Sequence, residues 1–187
     1  MSAKPFVIDV RNVPRRAGSL VEAARSVVID ERIGAEMIGI PADSEVQLDL
    51  RLESVTEGVL VSGTVSGATT GQCGRCLEPL EDSVSVYLTE LFAYPDSETD
   101  KTSDDEDVER IVDEEIDLEQ TIIDAIATEL PLTPVCTEDC PGLCQECGVR
   151  LADAEPDHGH DIIDPRWAKL AEKLVDDRSS DEKGGAR

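Results

Sequence analysis

The sequence predicts an α+β fold, in which an antiparallel sheet is packed by one long helix and followed by a C-terminal cysteine-rich module with a short closing helix. Three observations predict it. Apolar and polar residues alternate through residues 45–53, a helix signature follows at residues 117–130, and residues 134–161 are rich in Cys, Gly, Asp and Glu without periodicity. A segment of that last composition cannot bury much apolar surface, so another source of stability is expected there.

Two-residue periodicity predicts the sheet. In residues 45–53, valine and leucine alternate with polar residues, which is typical of a strand with one buried face. The period resumes over residues 59–65 after a short polar break, which predicts an antiparallel hairpin. A third strand is predicted over residues 83–91 and a first short strand over residues 5–11, so we expect a meander-like sheet.

Local signals predict three helices. Residues 20–28 fit a weak helix, although the valines at their C-terminal end also suit a strand. Asp117 and Gln120 have the spacing of a capping box, which predicts a helix that ends before Pro131, since a residue preceding proline is disfavoured in helical geometry. Asp164, followed by proline, predicts the start of a closing helix.

The net charge of −25 is unevenly distributed along the chain. Residues 96–119 contain 13 acidic and two basic residues, a net charge of −11, whereas residues 1–33 contain six basic and four acidic residues, a net charge of +2. An acidic chain repels a phosphate backbone, so sequence-blind nucleic-acid binding is disfavoured. The candidate RNA contacts are therefore confined to the basic N-terminal segment, at Arg11, Arg15 and Arg16.

The cysteines and histidines are the candidate metal ligands. The N-terminus has no apolar core of a secretory signal and no run of 18 apolar residues exists, so a cytoplasmic protein without membrane spans is expected, in which cysteines serve as metal ligands more often than as disulfides. All of them fall in close pairs, which are Cys73 and Cys76, Cys136 and Cys140, Cys144 and Cys147, and His158 and His160. Eight ligands in four pairs suffice for two closed tetrahedral zinc sites.

Two partitions of these ligands are open. The first has one site with Cys73, Cys76, Cys136 and Cys140, and a second with Cys144, Cys147, His158 and His160. The alternative is one local site formed by the four cysteines of residues 136–147, which leaves the pair at residues 73 and 76 to another role. The cofactor is expected to be structural zinc, one or two ions, although sites made of cysteine alone also accept iron.

Other interpretations compete with metal binding. The pair Cys73 and Cys76 has redox spacing, but that motif is typical of a helix start after a parallel strand, and here it lies between predicted antiparallel strands. Unbound thiols, disulfides and exposed loop histidines also remain open. The acidic run at residues 104–107 lacks a rigid scaffold for magnesium, and no phosphate loop or Ser-His-Asp setting is present, so no enzyme is expected.

These features predict three parts of the chain. They are a core domain at residues 1–133 with an acidic mobile loop at residues 96–116, a cysteine-rich zinc module with closing helix at residues 134–176, and a disordered tail at residues 177–187.

The motifs together resemble the YceD family, the large ribosomal RNA subunit accumulation proteins. The resemblance spans roughly residues 45–175 and depends on Cys73-Gly74-Arg75-Cys76-Leu77, Leu130-Pro131-Leu132-Thr133-Pro134, Cys136-x3-Cys140-Pro141-Gly142-Leu143-Cys144-x2-Cys147-Gly148 and Asp164-Pro165-Arg166-Trp167-Ala168-Lys169-Leu170. Where many members carry a further Cys-x-Cys, this chain has His158-Gly159-His160.

The resemblance implies a non-catalytic ribosome-assembly factor that supports accumulation of large-subunit ribosomal RNA. Its implied partner is large-subunit ribosomal RNA or a basic large-subunit ribosomal protein, and no small-molecule substrate or membrane is expected. The acidic residues 96–119 suit a basic protein, whereas the arginines near the N-terminus suit RNA. The alternative is a zinc-stabilised protein-interaction adaptor without a ribosomal role.

Overall fold

The computed structural model describes residues 4–95, 97–102, 108–160 and 166, and the chain divides into two compact units, Met1–Cys140 and Pro141–Arg187. The strands of the first unit are β1 (Val7–Asp9), β2 (Leu20–Val28), β3 (Ile33–Gly34), β4 (Ile38–Ile40), β5 (Glu45–Ser54), β6 (Gly58–Gln72), β7 (Pro79–Ala93), β8 (Glu109–Arg110) and β9 (Glu115–Asp117). Its described helices are α1 (Glu98–Thr102) and α2 (Glu119–Glu129). The predicted division at residues 133 and 176 stays a prediction.

The main sheet has the strand order β2-β5-β6-β4-β3, and β7 pairs with β6 along its whole length. Strands β5, β6 and β7 are antiparallel neighbours, which confirms the predicted meander. At its last two residues β7 also pairs in parallel with β8, and β1 pairs with β9 in a separate two-stranded sheet. The turn between β6 and β7 contains Cys73 and Cys76, so the hairpin presents both thiols at one end of the sheet.

One face of the sheet forms the core, as the alternation in the sequence predicts. Every second residue of β5, from Val46 to Leu52, is at most 2% exposed, while the residues between them face solvent. The buried residues of β6 and β7 join the same core, together with Ile122 and Ile126 of α2. Each fully buried aliphatic side chain contributes roughly 1.5–3 kcal/mol relative to an exposed one, so this unit has a substantial core of its own.

The predicted α+β class is wrong, because most of the regular secondary structure in the described residues is antiparallel strand and no long helix packs on the sheet. Helix α2 has eleven residues. Strands β6 and β7 have 15 residues each, far more than the alternating runs predict. Pairing extends β6 through Ser, Thr and Gly residues and β7 through Glu81 and Asp82, none of which carries an apolar signal, because backbone hydrogen bonds do not depend on side-chain polarity.

The predicted helix over residues 20–28 is also wrong, since Leu20–Val28 form strand β2. This segment pairs antiparallel with β5 over all nine residues. Its apolar residues fit both periods, and three of them are valines, whose branched side chains favour a strand. A long partner strand therefore decides between two local patterns that the sequence leaves balanced.

The predicted helix before Pro131 is confirmed as α2. The Asp117 carboxylate accepts a hydrogen bond from the backbone N–H of Glu119 (3.1 Å), one residue nearer the start than a capping box requires. Leu130 is extended, with φ −69° and ψ 136°, as expected of a residue before proline. The chain then leaves the helix towards Cys136.

The predicted acidic loop contains ordered elements in its described residues, namely α1, β8 and the start of β9. Within it, the side chains of Arg110 and Asp100 form a half-buried ion pair (2.7 Å), which links α1 to β8. Three predicted segments lie outside the described residues. They are the acidic run at residues 104–107, the closing helix from Asp164 except for Arg166, and the tail. Neither described helix has the length and apolar character needed to cross a membrane.

Candidate metal centres

The first candidate centre begins in the turn between β6 and β7. The backbone N–H of Cys73 donates to the carbonyl of Glu78 (2.8 Å), and the N–H of Leu77 donates to the carbonyl of Cys73 (2.9 Å). These bonds fold the five residues after Cys73 into a tight knuckle. Leu77 has a positive φ of 61°, a conformation that a residue with a side chain rarely adopts. The knuckle brings the thiols of Cys73 and Cys76 to one side.

The chain after α2 supplies the other two thiols of this centre. The sulfur of Cys73 lies 3.8 Å from that of Cys140, and the sulfur of Cys76 lies 3.6 Å from that of Cys136. The four sulfurs lie within 4.8 Å of one another. Zinc–sulfur bonds of about 2.3 Å in a tetrahedron correspond to sulfur–sulfur distances of about 3.8 Å, whereas a disulfide bond is about 2.05 Å long. The geometry therefore fits a shared metal ion and not a pair of disulfides.

Three hydrogen bonds from two residues, Arg75 and Gly74, hold the two halves of this centre together, and the sequence did not predict them. The guanidinium of Arg75 donates to the backbone carbonyls of Glu138 and Cys140, each at 3.1 Å. The N–H of Gly74 donates to the carbonyl of Pro134 (2.8 Å), and a Cβ at position 74 would lie 2.8 Å from the Thr133 side chain. The position of both residues between two cysteines was the only sequence signal for this role.

Thiol ionisation in the first centre is uneven. Burial opposes ionisation of Cys73, but backbone N–H groups, first that of Cys76 and then that of Cys136, outweigh burial and lower the pKa of Cys73 to about 6. Burial, followed by the neighbouring thiols, raises the pKa of Cys76. One thiolate is therefore favoured at neutral pH, and the positive charge of a bound metal ion would promote ionisation of the others.

The second candidate centre lies within the unit Pro141–Arg187 and has mixed ligands. The sulfur of Cys147 lies 3.5 Å from Nε2 of His158 and 3.3 Å from Nε2 of His160, and the two Nε2 atoms are 3.2 Å apart. With Cys144, these ligand atoms lie within 4.8 Å of one another. Zinc–ligand bonds of about 2.0–2.3 Å predict tetrahedral edges of about 3.3–3.8 Å, which these distances match.

Ionisation of Cys144 is favoured in this centre too. The backbone N–H groups of Cys147 and Glu146 are the first causes that lower the pKa of the Cys144 thiol to about 6. Cys147 and His160 are exposed, whereas three of the four cysteines of the first centre are buried. The two centres therefore differ in solvent access.

The two groups of four coincide with the first of the two partitions that the sequence left open, and Cys136 and Cys140 lie with Cys73 and Cys76. Metal binding by these eight residues stays a prediction. Each group supplies four protein ligands, which is typical of a structural site, since catalytic zinc keeps one position for water or substrate.

The second knuckle repeats the backbone of the first. The N–H of Cys144 donates to the carbonyl of Val149 (2.8 Å), and the N–H of Gly148 donates to the carbonyl of Cys144 (2.9 Å). Gly148 has φ +73° at the position that Leu77 occupies in the first knuckle. Glycine adopts this conformation without strain, which accounts for its place directly after Cys147.

Replacement of Gly148 with alanine is expected to weaken zinc binding at the second centre about five- to tenfold. A Cβ at this position would meet no atom within 4 Å, so the cost is that of the backbone conformation alone, about 1 kcal/mol. Titration of the apoprotein against a competing chelator measures this change. Gly159→Ala is the matched control, because residue 159 lies between two ligands but has no positive φ and only one neighbour, at 3.8 Å. Equal affinities for the two variants would contradict the prediction.

Two of the three arginines predicted as RNA contacts have side-chain partners within the protein. The Arg11 guanidinium forms an ion pair with Asp9, which lowers the pKa of that carboxyl through the hydrogen bonds from Arg11. The guanidinium of Arg15 lies 5.0 Å from the ring centroid of Tyr94. Arg11 and Arg15 line one cleft together with Glu114, while Arg16 is exposed. RNA contact by these residues stays a prediction.

Comparison with known proteins identifies similar sequences. Residues 61–172 match the family model described as "Large ribosomal RNA subunit accumulation protein YceD". An uncharacterized protein of Mycobacterium tuberculosis is 56% identical over 172 residues, which cover 92% of this chain and 83% of that protein. An uncharacterized protein of Mycobacterium leprae is 48% identical over 173 residues, covering 92% of this chain and 79% of that protein. No solved structure matches the chain.

Proposed function

Because the chain belongs to the YceD family, we propose that it is a non-catalytic ribosome-assembly factor that acts in the cytoplasm and supports accumulation of large-subunit ribosomal RNA. The observation that carries this proposal is the family match over residues 61–172, which includes all eight residues of the two candidate metal centres. The mycobacterial relatives extend the similarity over nearly the whole chain, and their names assign no activity.

Zinc has a structural role in this proposal. Each centre would hold one ion with four protein ligands, so no open position is left on the metal for a substrate. In the first centre, zinc would join the β6–β7 turn to the segment after α2. In the second, it would substitute for an apolar core in residues 141–160, where the described residues include no buried apolar side chain.

Charge supports a basic ribosomal protein as the direct partner more than it supports RNA. The net charge is −25, and residues 96–119 alone carry −11. Of the candidate RNA contacts, the charge of Arg11 is compensated by Asp9, so only Arg15 and Arg16 offer phosphates an uncompensated positive charge, in a chain of net charge −25. A basic protein would instead be attracted to the acidic segment, and salt would weaken that attraction.

Deletion of the gene is expected to lower the ratio of large-subunit to small-subunit ribosomal RNA, and the intact gene should restore it. The ratio is measured on total RNA and on ribosomal particles separated by sedimentation. An unchanged ratio in the deletion strain would contradict the proposed function. Capture of the tagged protein with and without ribonuclease identifies the partner: a basic ribosomal protein retained after digestion supports direct protein contact, whereas a protein partner without any ribosomal component supports an adaptor with no ribosomal role.

A further inference from the structure

The outer edge of strand β2 is unpaired in the part of the chain that the structure describes. β2 pairs with β5 on one side over all nine residues, in continuous register and without a bulge. It contains neither proline nor glycine. Edge strands are usually kept short, bulged or covered, because their unpaired backbone groups can accept another strand. A regular edge of this length is therefore a candidate interaction surface.

The register with β5 identifies which residues face outwards. The N–H of Ser54 donates to the carbonyl of Ser19, and the N–H of Ile29 donates to the carbonyl of Ser44, so odd-numbered residues direct their backbone groups towards β5. In an antiparallel pair this direction alternates along the strand. The even-numbered residues Leu20, Glu22, Ala24, Ser26 and Val28 consequently direct their N–H and C=O groups to the open edge.

We propose that β2 pairs antiparallel with β2 of a second copy of the chain, about a two-fold axis through Ala24, so that the main sheet continues across a homodimer. With this axis, Ala24 faces Ala24 of the second copy, and each outward-facing pair exchanges two backbone hydrogen bonds. Leu20 then faces Val28 of the second copy. These are the two exposed large apolar residues of β2, at 51% and 52% exposure, so the pairing covers both.

Other two-fold registers are less favourable. An axis at Glu22 or Arg25 would place that residue opposite its own copy, and like charges directly opposite each other destabilise a pair of strands. An axis at Ala23 avoids this clash but places Leu20 opposite Ser26 and leaves Val28 beyond the paired region. The axis at Ala24 separates all charges and uses the full length of the strand.

Charge also distinguishes β2 from the other long edge. Strand β7 is unpaired on its outer side over residues 79–91 of the described chain, but it carries Glu81, Asp82 and Glu90 and no basic residue. Two copies of β7 would repel each other. β2 contains one acidic and one basic residue, Glu22 and Arg25, so its own net charge is zero in a chain of −25. Electrostatics therefore permits the pairing of two β2 strands but opposes the pairing of two β7 strands.

Sedimentation equilibrium of the full chain tests the proposal. At about 0.15 M salt, where charges more than roughly 8 Å apart are largely screened, the mass should rise from one chain to two with protein concentration. Ala24→Pro should abolish this rise, because it removes the N–H groups that form both axial hydrogen bonds. The fold should be retained, since this N–H faces away from β5 and proline is tolerated there on an edge strand. A single-chain mass at all concentrations, or a mass that passes two chains, would overturn the proposal.

A charge exchange tests the axis and keeps every backbone hydrogen bond. Ala24→Lys and Ala24→Glu should each weaken the dimer about fivefold, because like charges meet at the axis, whereas an equimolar mixture of the two should restore it. With the axis at Ala23, position 24 would face Glu22 and Ala24→Lys alone would strengthen the dimer, which contradicts the proposed register. Ser85→Lys, on an exposed position of β7, is the matched control and should leave the dimer unchanged.

Discussion

Replacement of Cys73 and Cys76 with serine is expected to lower the zinc content from two ions per chain to one. The variant should also lose about 4 kcal/mol of unfolding free energy in the unit Met1–Cys140, since free zinc a thousandfold above its dissociation constant stabilises the state that binds it by this amount. Metal analysis of protein purified without added metal measures the first effect, and denaturant unfolding at the stated free-zinc concentration measures the second.

Cys144→Ser/Cys147→Ser is the matched variant for this experiment. It should also lower the zinc content from two ions to one, but leave unfolding of the unit Met1–Cys140 unchanged, because its ligands all lie in the unit Pro141–Arg187. One zinc ion in the intact protein, unaffected by the serines at positions 73 and 76, would place the metal within residues 136–160. No metal in the intact protein would contradict the proposed zinc centres.

Removal of metal with a chelator is expected to unfold residues 141–160 while the main sheet stays folded. The described part of this segment has no buried apolar side chain, so nothing else in it offsets the entropy of ordering the chain. The sheet, in contrast, has a continuous core that includes Val46, Leu48 and Ile122. Hydrogen exchange should show loss of protection at Leu151, whose N–H donates to the carbonyl of Gly142 in the folded module, with protection retained in β5.

The two ions should leave at different rates in the same experiment. Cys147 and His160 of the second centre are exposed, while three ligands of the first are buried, so a chelator reaches the second centre more easily. We therefore expect the ion of the second centre to be released faster than the ion of the first centre. A colorimetric zinc indicator follows the release, and Cys144→Ser/Cys147→Ser should lack the fast phase. Release of both ions at one rate, or collapse of the sheet in the chelator, would contradict this prediction.

Much of the fold could be predicted where a local signal coincides with burial. The alternation from Val46 to Leu52 predicts a half-buried strand because a two-residue period is a property of the strand itself. Pro131 predicts the end of α2 through a steric clash with its own neighbour. The local pattern of residues 20–28 does not decide between helix and strand, since it fits both. Pairing with β5 decides for the strand.

The sequence by itself determined which residues can hold metal, because the type and spacing of the thiols and imidazoles are read directly from the chain. Their order along the chain also identified the family. Only the tertiary structure decided that Cys73 and Cys76 meet Cys136 and Cys140, and that Arg75 closes that site through two backbone carbonyls. It also decided the predominance of strands, through the pairing that extends β6 and β7. The physical reason is that these contacts join residues beyond one local segment, 60 to 67 positions apart between the thiols of the first centre and up to 35 apart between β6 and β7. Such contacts depend on the path of the chain between the residues, which local periodicity does not encode.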